Sequence, residues 1–310
     1  KIKEALEGEI DPLNDNKLVT QCLLSHRFEQ IVDDGATMFG FEELFHLANR
    51  ACRESELERE FKAHIIDACN MPPRQFDVVL LPPSIDDQFY RKPDAPVLEW
   101  LVEQHRRGSV IASACAGAFI LAASGIGGQR ALTTHWGLAE TFKSQYPSQP
   151  MEINQILIDH GDVITAGGMM SWLDLGLELV SRYASPQIMR QLGKMLVIDT
   201  APREQRFYQQ FTPSFSHGDI AIVEIQHRIS ACFSRTVSVK QLAVEANLTE
   251  RTFQRRFMKA TGMNPNQYLQ RVRVQKACDY LEGSTHSFEW ISHQVGYENA
   301  SACRKVFSEI

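Results

Sequence analysis

The sequence predicts an α/β domain built on a doubly wound, mostly parallel sheet, followed by an all-α domain. Three observations lead there. Strand-length apolar runs alternate with segments of helical periodicity from Leu18 to Tyr183. One of those runs, Ser109 to Ala114, carries no charge and reads as a continuous apolar strand, as the middle of a parallel sheet requires. From Gly218 onward the strand-like runs stop, and a helix, tight turn and helix occur twice.

Bulk properties agree with two domains. A chain of 310 residues with 44% hydrophobic residues can bury two ordinary cores. Seven cysteines, an odd number with no C-x-x-C pair, point to a reducing cytosol rather than a disulfide framework. Lys1 to Asn16 is charged and lacks an apolar signal region. The longest uncharged run, Val110 to Gly128, contains four glycines and lacks the flanking pattern of a span, so it reads as strand, turn and helix rather than a membrane span. Charge is divided unevenly. Gly218 onward carries 12 Lys+Arg against 9 Asp+Glu, and the remainder 20 against 29. An acidic body with a mildly basic end suits a DNA-reading module attached to another domain.

The elements follow in order. Leu18 to Leu24 reads as a strand, and Phe41 to Cys52 as a helix through Leu44, Phe45 and Ala48. Phe61 to Asp67 and Phe76 to Leu81 are strands, the second stopped by Pro82-Pro83. Ala95 to Arg107 is an amphipathic helix leading into the strand Ser109 to Ala114. The turn Ser113-Ala114-Cys115-Ala116-Gly117 then opens a helix, Ala118 to Ala123. Such an elbow presents a thiol at the carboxyl edge of the sheet, where open α/β folds bind ligands. Amides at the helix start would lower the thiol pKa and hold an anion. The segment Ala131 to Trp136 places His135 just beyond a short strand, and Val163 to Gly168 ends a strand and leads into the helix Ser171 to Tyr183. Helix continues through Ala184 to Val197.

These segments, with G-F-E-E-L-F at Gly40 to Phe45, resemble the PfpI/ThiJ-type, glutamine-amidotransferase-like domain, a flavodoxin-like fold. The resemblance covers Leu18 to Val197. It implies a domain that senses a small molecule and dimerises, with Cys115, Ala116, His135 and Glu43 lining an effector pocket. Enzyme chemistry would need a thiolate at Cys115, His135 as base and Glu43 as the acid. Ala116 stands where hydrolytic members carry histidine, and Thr37 where an acidic residue often lies. The expectation is therefore sensing without turnover. The alternative is a cysteine-dependent amidase or hydrolase with an accessory DNA-binding domain, and a third reading is a dimerisation module without ligand. The connection at Asn70-Met71 is shorter than the family's, which often carries an extra hairpin there.

Pro202, Pro213, Ser214, Ser216 and Gly218 mark a linker. The domain boundaries read as 17–200, linker 201–217, and 218–310. Asp219 to Cys232 is a helix. Val239 to Glu245 carries Leu242 and Ala243 inward, and Ala246-Asn247-Leu248 turns, with Asn247 suited to a left-handed conformation. Thr249 caps a helix closed by Gly262, whose Phe253, Phe257 and Ala260 form the inner stripe. Its other side carries Arg251, Gln254, Arg255 and Met258. Arg pairs with guanine and Gln with adenine in the major groove. Asn264-Pro265 opens a long helix to Glu282, with Tyr268, Leu269, Val272, Ala277, Cys278 and Leu281 inward. The unit then repeats. Ile291-Ser292 echoes Leu242-Ala243, Gly296-Tyr297 echoes Asn247-Leu248, and Asn299 takes the place of Thr249. Cys303, Phe307 and Ile310 match Phe253, Phe257 and Ala260, which puts Ser301, Arg304 and Lys305 on the outer face. One rigid helix between the units would set them ~34 Å apart, into successive major grooves.

R-T-F-Q-R-R-F, T-G-M-N-P-N-Q-Y and G-Y-E-N-A-S-A-C-R-K-V-F resemble the AraC/XylS-type DNA-binding domain, whose pattern continues past Ile310 through another turn and a basic tail. The combined architecture implies a sequence-specific transcription regulator of the cytoplasm and bacterial nucleoid. Its partners would be a double-stranded DNA operator, an unidentified small-molecule effector, RNA polymerase and a second copy of the chain. No cofactor, metal or membrane partner is expected, because histidines and cysteines are scattered and no phosphate-binding glycine loop occurs.

Overall fold

The computed structural model describes residues 18–25, 31–84, 88–201, 203–208, 210–215 and 217–309. The chain divides into two compact units, Lys1–Gln209 and Gln210–Ile310.

The first unit contains β1 (Leu18–Ser25), α1 (Ile31–Glu54), β2 (Glu60–Asp67), β3 (Val78–Leu81), α2 (Gln88–Arg91) and α3 (Ala95–Arg106). There follow β4 (Val110–Ala114), α4 (Gly117–Ala123), α5 (Ala139–Gln145), β5 (Leu157–Asp159), β6 (Val163–Ala166), α6 (Trp172–Tyr183) and α7 (Pro186–Leu196). The strand order is β2-β1-β3-β4-β6-β5. Every neighbouring pair is parallel except the edge pair β5–β6. Successive strand residues face opposite layers. Val78, Leu80, Ala112, Ala114, Ile164 and Ala166 pack with Phe41, Leu44, Phe45 and Ala48 of α1 and with α6 and α7. Val79, Leu81, Ile111 and Val163 pack with Val97 and Leu101 of α3 and Phe119 and Ile120 of α4. Both faces are covered, so the inner strands are apolar at consecutive positions. This is the doubly wound α/β arrangement the sequence predicts.

Three details differ from the sequence reading. Helix α1 starts at Ile31, ahead of the expected Phe41, and the first turns escaped the sequence pattern because Asp33-Asp34-Gly35 interrupts the periodicity that marks the rest. The segment Ala131 to Trp136 makes only the single bridge Leu132–Met151 among the described residues. It has no ladder to join, since β6 is already paired with β4 and β5. The short β5, α2 and α5 carry too few apolar residues to show a period.

The second unit contains α8 (Ile220–Ala231), α9 (Val239–Glu245), α10 (Glu250–Thr261), α11 (Pro265–Gly283), α12 (Phe288–Gln294) and α13 (Ala300–Glu309). Most of these helices begin at a side-chain cap. Asp219, Ser238, Thr249, Asn264 and Ser287 each accept a backbone N–H in the first turn, and Asn299 does so for Ala302. Helix α11 is shared by two cores. Tyr268 and Val272 belong to the one built on Ile222, Ile225, Leu242, Phe253 and Phe257. Ala277 belongs to the one built on Ile291, Val295, Tyr297 and Cys303. Leu281, expected inward, is 43% exposed, one position past the last turn that meets a neighbour. Ile310 lies outside the described residues.

The stretch 201–217, read as a linker, is held down at both ends. Gln205 is buried within the first unit. Phe211 packs edge-on against Tyr268 at 5.3 Å, and its N–H donates to Gln275 in the second unit.

Asp219 caps α8 and also receives a two-pronged ion pair from Arg256, at 2.9 and 2.6 Å. The Arg256 hydrogen bonds hold its carboxyl below the usual range. A depressed carboxylate contributes stability that is full above the unfolded-state value of about 3.9 and is lost as pH falls through the folded-state value. Asp219→Asn keeps the cap but not the charge. Urea titrations of wild type and variant are expected to differ modestly at neutral pH, since the pair is partly solvated, and to converge in acid.

Candidate nucleic-acid interface and cysteine elbow

The helix–turn–helix repeat extends to individual hydrogen bonds. Leu248 N–H donates to Ala243 O at 2.9 Å, and Tyr297 N–H donates to Ser292 O at 2.9 Å. Ala246 donates to Leu242 O and Val295 to Ile291 O, both at 3.0 Å. Both turns pass through the left-handed region, at Asn247 with φ 54° and Gly296 with φ 89°. Glycine is needed at the second turn, because a Cβ on Gly296 would sit 2.5 Å from Ser234 O. The sequence offset therefore corresponds to two copies of one backbone motif.

Each copy turns a polar face outward. Arg251, Gln254 and Arg255 are exposed on α10, opposite buried Phe253 and Phe257. The Gln254 side chain hydrogen-bonds Glu250 at 3.4 Å, and among the described residues Arg251 and Arg255 have no ion-pair partner. Arg256, their neighbour, turns inward to Asp219. On α13, Ser301, Arg304 and Lys305 are exposed around buried Cys303. The Arg304 guanidinium lies over the Phe288 ring at 5.2 Å, which restrains it while leaving its edge free.

At the end of β4 the chain makes the elbow. Cys115 adopts φ 51°, a left-handed conformation that costs energy for a residue with a side chain. Its N–H donates to Ala166 O at 2.8 Å, and its carbonyl accepts from Thr134 Oγ1 at 2.7 Å. Cys115 is 3% exposed and Ala116 is fully buried. The amides of Cys115, Ala118 and Phe119 are already bonded to carbonyls. Those three amides are therefore not free to hold an anion at the elbow.

Residues 51–182 match the DJ-1/PfpI family, and residues 242–310 match a helix-turn-helix domain. The first unit is thus similar to the DJ-1/PfpI family and the second to helix-turn-helix domains of the AraC type. It is 24% identical over 206 residues to the HTH-type transcriptional regulator CdhR of Pseudomonas aeruginosa, covering 66% of this chain and 61% of that protein. It is 21% identical over 211 residues to the HTH-type transcriptional regulator GbdR of the same species, covering 68% and 57%. The chain thus spans about three fifths of the length of these relatives. Among solved structures, Drosophila melanogaster DJ-1beta aligns at 17% identity over 59% of this chain and 99% of that one, with a TM-score of 0.43.

Glu43 is exposed on α1, and nothing among the described residues joins it to Cys115 or His135. His135 is half-buried, lies tilted against Trp136 at 5.1 Å, and accepts the Gly137 N–H at Nδ1, 3.0 Å away. With the lone pair of Nδ1 so used, the neutral ring carries its proton on Nε2. Burial pushes the His135 pKa down, which favours that neutral form. Such a ring carries a donor at Nε2 and has no free lone pair with which to act as a base. An open cleft of about 490 Å³ lies elsewhere in the domain, lined by Arg190, Lys194, Asp199 and Thr200 at the end of α7.

In the AraC-type domain the sequence reading missed Arg273. It is 8% exposed. Its Nε and Nη2 donate to the carbonyls of Phe233 and Arg235 at 2.8 and 3.2 Å. The guanidinium also lies 5.4 Å from the Tyr297 ring, and the Tyr297 hydroxyl donates to Gln270. Arg273 thereby ties α11 to the loop after α8 and to the second turn. A signal was present: it falls in register with Leu269 and Ala277, four residues to either side on the inner face of α11.

Proposed function

We propose that the chain is a sequence-specific transcription regulator. Helices α10 and α13 read neighbouring major grooves of operator DNA through Arg251, Gln254 and Arg255, and Ser301, Arg304 and Lys305. The observation that carries the reading is the repeated turn, which gives two equivalent helices with polar outer faces on one connecting helix. Relatives that bear the name transcriptional regulator support it. The DJ-1/PfpI domain serves as sensor. A small-molecule effector binds beside Cys115, Ala116 and His135, with Glu43, exposed on α1, as the fourth member of the site. Two copies of the chain and RNA polymerase complete the assembly, in the cytoplasm at the nucleoid. Among the described residues no helix is long and apolar enough to cross a membrane, and no cluster of His, Cys, Asp and Glu has the spacing of a metal site.

Sensing without turnover is supported by the His135 tautomer, by the exposed position of Glu43 and by the burial of the thiol. The strained elbow favours one other reading, a cysteine-dependent amidase. Amide turnover by the purified chain that disappears in Cys115→Ala would establish that reading instead.

The test of DNA reading is fluorescence anisotropy on an operator selected from random DNA. Arg251→Ala and Arg255→Ala should each weaken binding by about 1–3 kcal/mol and relax preference at one base position. Unchanged affinity and unchanged preference in both variants would refute it.

A further inference from the structure

We propose that Gln205 is a latch that couples the Cys115 elbow to the chain leading into the DNA-binding domain. The proposal rests on the regulatory reading above and specifies how the sensor would report. The Gln205 side chain is 3% exposed and engages one short loop on several sides. Its Nε2 shares two protons among Thr134 O at 2.9 Å, Thr133 Oγ1 at 3.0 Å and Gln155 O at 3.0 Å. Its Oε1 accepts from Trp136 N at 3.2 Å. The backbone is fixed beside it, with Gln205 N–H on Asn154 O at 2.8 Å and a single β-bridge from Glu204 to Gln155. The seat is shaped for this side chain. A Cβ on Gly167 would lie 2.7 Å from Thr134 O and would overlap the Gln205 carboxamide.

The same loop holds the elbow. Thr134 presents its carbonyl to Gln205 and its hydroxyl to the Cys115 carbonyl, and His135, the polar group nearest in sequence, lies between Thr134 and Trp136. A ligand that displaces this loop therefore strips a buried carboxamide of its partners. Buried amides without partners are costly, so the loop and residues 204–208 are stable only when both are seated or both are released. Four residues, Arg206 to Gln209, separate Gln205 from Gln210, where the second unit begins. Release would lengthen the tether of the DNA-binding domain and change the arrangements open to paired copies. Coupling of this kind is reciprocal.

Amide hydrogen exchange on the full chain tests the latch. Gln205→Ala is expected to speed exchange at Trp136 about tenfold, the loss of one buried hydrogen bond. Thr134→Val, which removes only the hydroxyl bond to Cys115, is expected to speed exchange in residues 204–208. Gln205→Glu retains the acceptor for Trp136 but loses the donors, and should release 204–208 if Gln205→Ala fails to fold. Arg203→Ala is the control. It breaks the surface ion pair to Asp174 in the same segment, 38% and 17% exposed, without touching the loop, and should leave Trp136 unchanged. Exchange changes confined to the substituted segment, or an equal effect of Arg203→Ala at Trp136, would overturn the coupling. Anisotropy on the selected operator then reads the regulatory half. A several-fold change in affinity for Gln205→Ala supports it. Coupled exchange with unaltered affinity overturns it, and absence of DNA binding by wild type would indict the regulator reading alone.

Discussion

Phe257→Ala is expected to destabilise the C-terminal unit by about 3–5 kcal/mol and to abolish DNA binding. Phe257 is fully buried. Its ring lies 5.4 Å from that of Phe253 and 5.3 Å from that of Tyr268, perpendicular to the latter. It thus pins α10 against α11. Alanine would leave a ring-sized void between them, and the backbone can close only part of it. Domains of this size have roughly 5–15 kcal/mol in all, so the unit would melt early. Loss of binding would follow from unfolding, since Phe257 faces away from Arg251 and Arg255. Met258→Ala, next along the chain but 45% exposed, should stay within about 0.5 kcal/mol of wild type. Urea unfolding followed by circular dichroism measures both. A Phe257→Ala cost under about 1 kcal/mol would contradict the core assigned to α10.

Arg273→Ala is expected to cost about 3 kcal/mol, as two charge-assisted hydrogen bonds from a buried guanidinium disappear together. The carbonyls of Phe233 and Arg235 lose the donors that Arg273 supplies, and the Tyr297 ring loses its cation. Burial pushes the Arg273 pKa down but does not discharge so strong a base. Lysine should recover little of the loss, because an ammonium cannot present two fixed parallel donors. The functional consequence differs from that of Phe257. Arg273 anchors the helix between the two recognition units to the second turn, so a folded but loosened variant should lose affinity for a two-groove site more than for a single half-site. Calorimetry gives the stability change, and anisotropy on full and half sites gives the spacing effect. Equal losses on both DNAs would show that Arg273 does not set the spacing.

The layered sheet was legible because a buried parallel strand must be apolar on both faces. Val78 to Leu81 and Val110 to Ala114 satisfy that rule and are the central pair. Strand β5 was not legible, since three residues at an edge need no pattern. The helices of the second unit were legible from local chemistry at their ends: Thr249, Asn264 and Asn299 as caps, Asn247 at the left-handed turn, Gly262 as the stop. What a side chain meets across the fold was not. Arg255 and Arg256 look alike in sequence, yet one is exposed and the other reaches Asp219. The elbow at Cys115 followed from a strand running into a helix. Its burial did not, because the covering loop is held by Gln205, which lies far along the chain in a stretch whose prolines and serines suggest a linker.

The central claim is that α10 and α13 address adjacent turns of one duplex. Hydroxyl-radical footprinting of the full chain on its selected operator tests it most directly, with Arg251→Ala and Arg304→Ala alongside. Two protected segments about one helical turn apart are expected, with Arg251→Ala weakening one and Arg304→Ala the other. A single protected segment, or both variants weakening the same one, would contradict it.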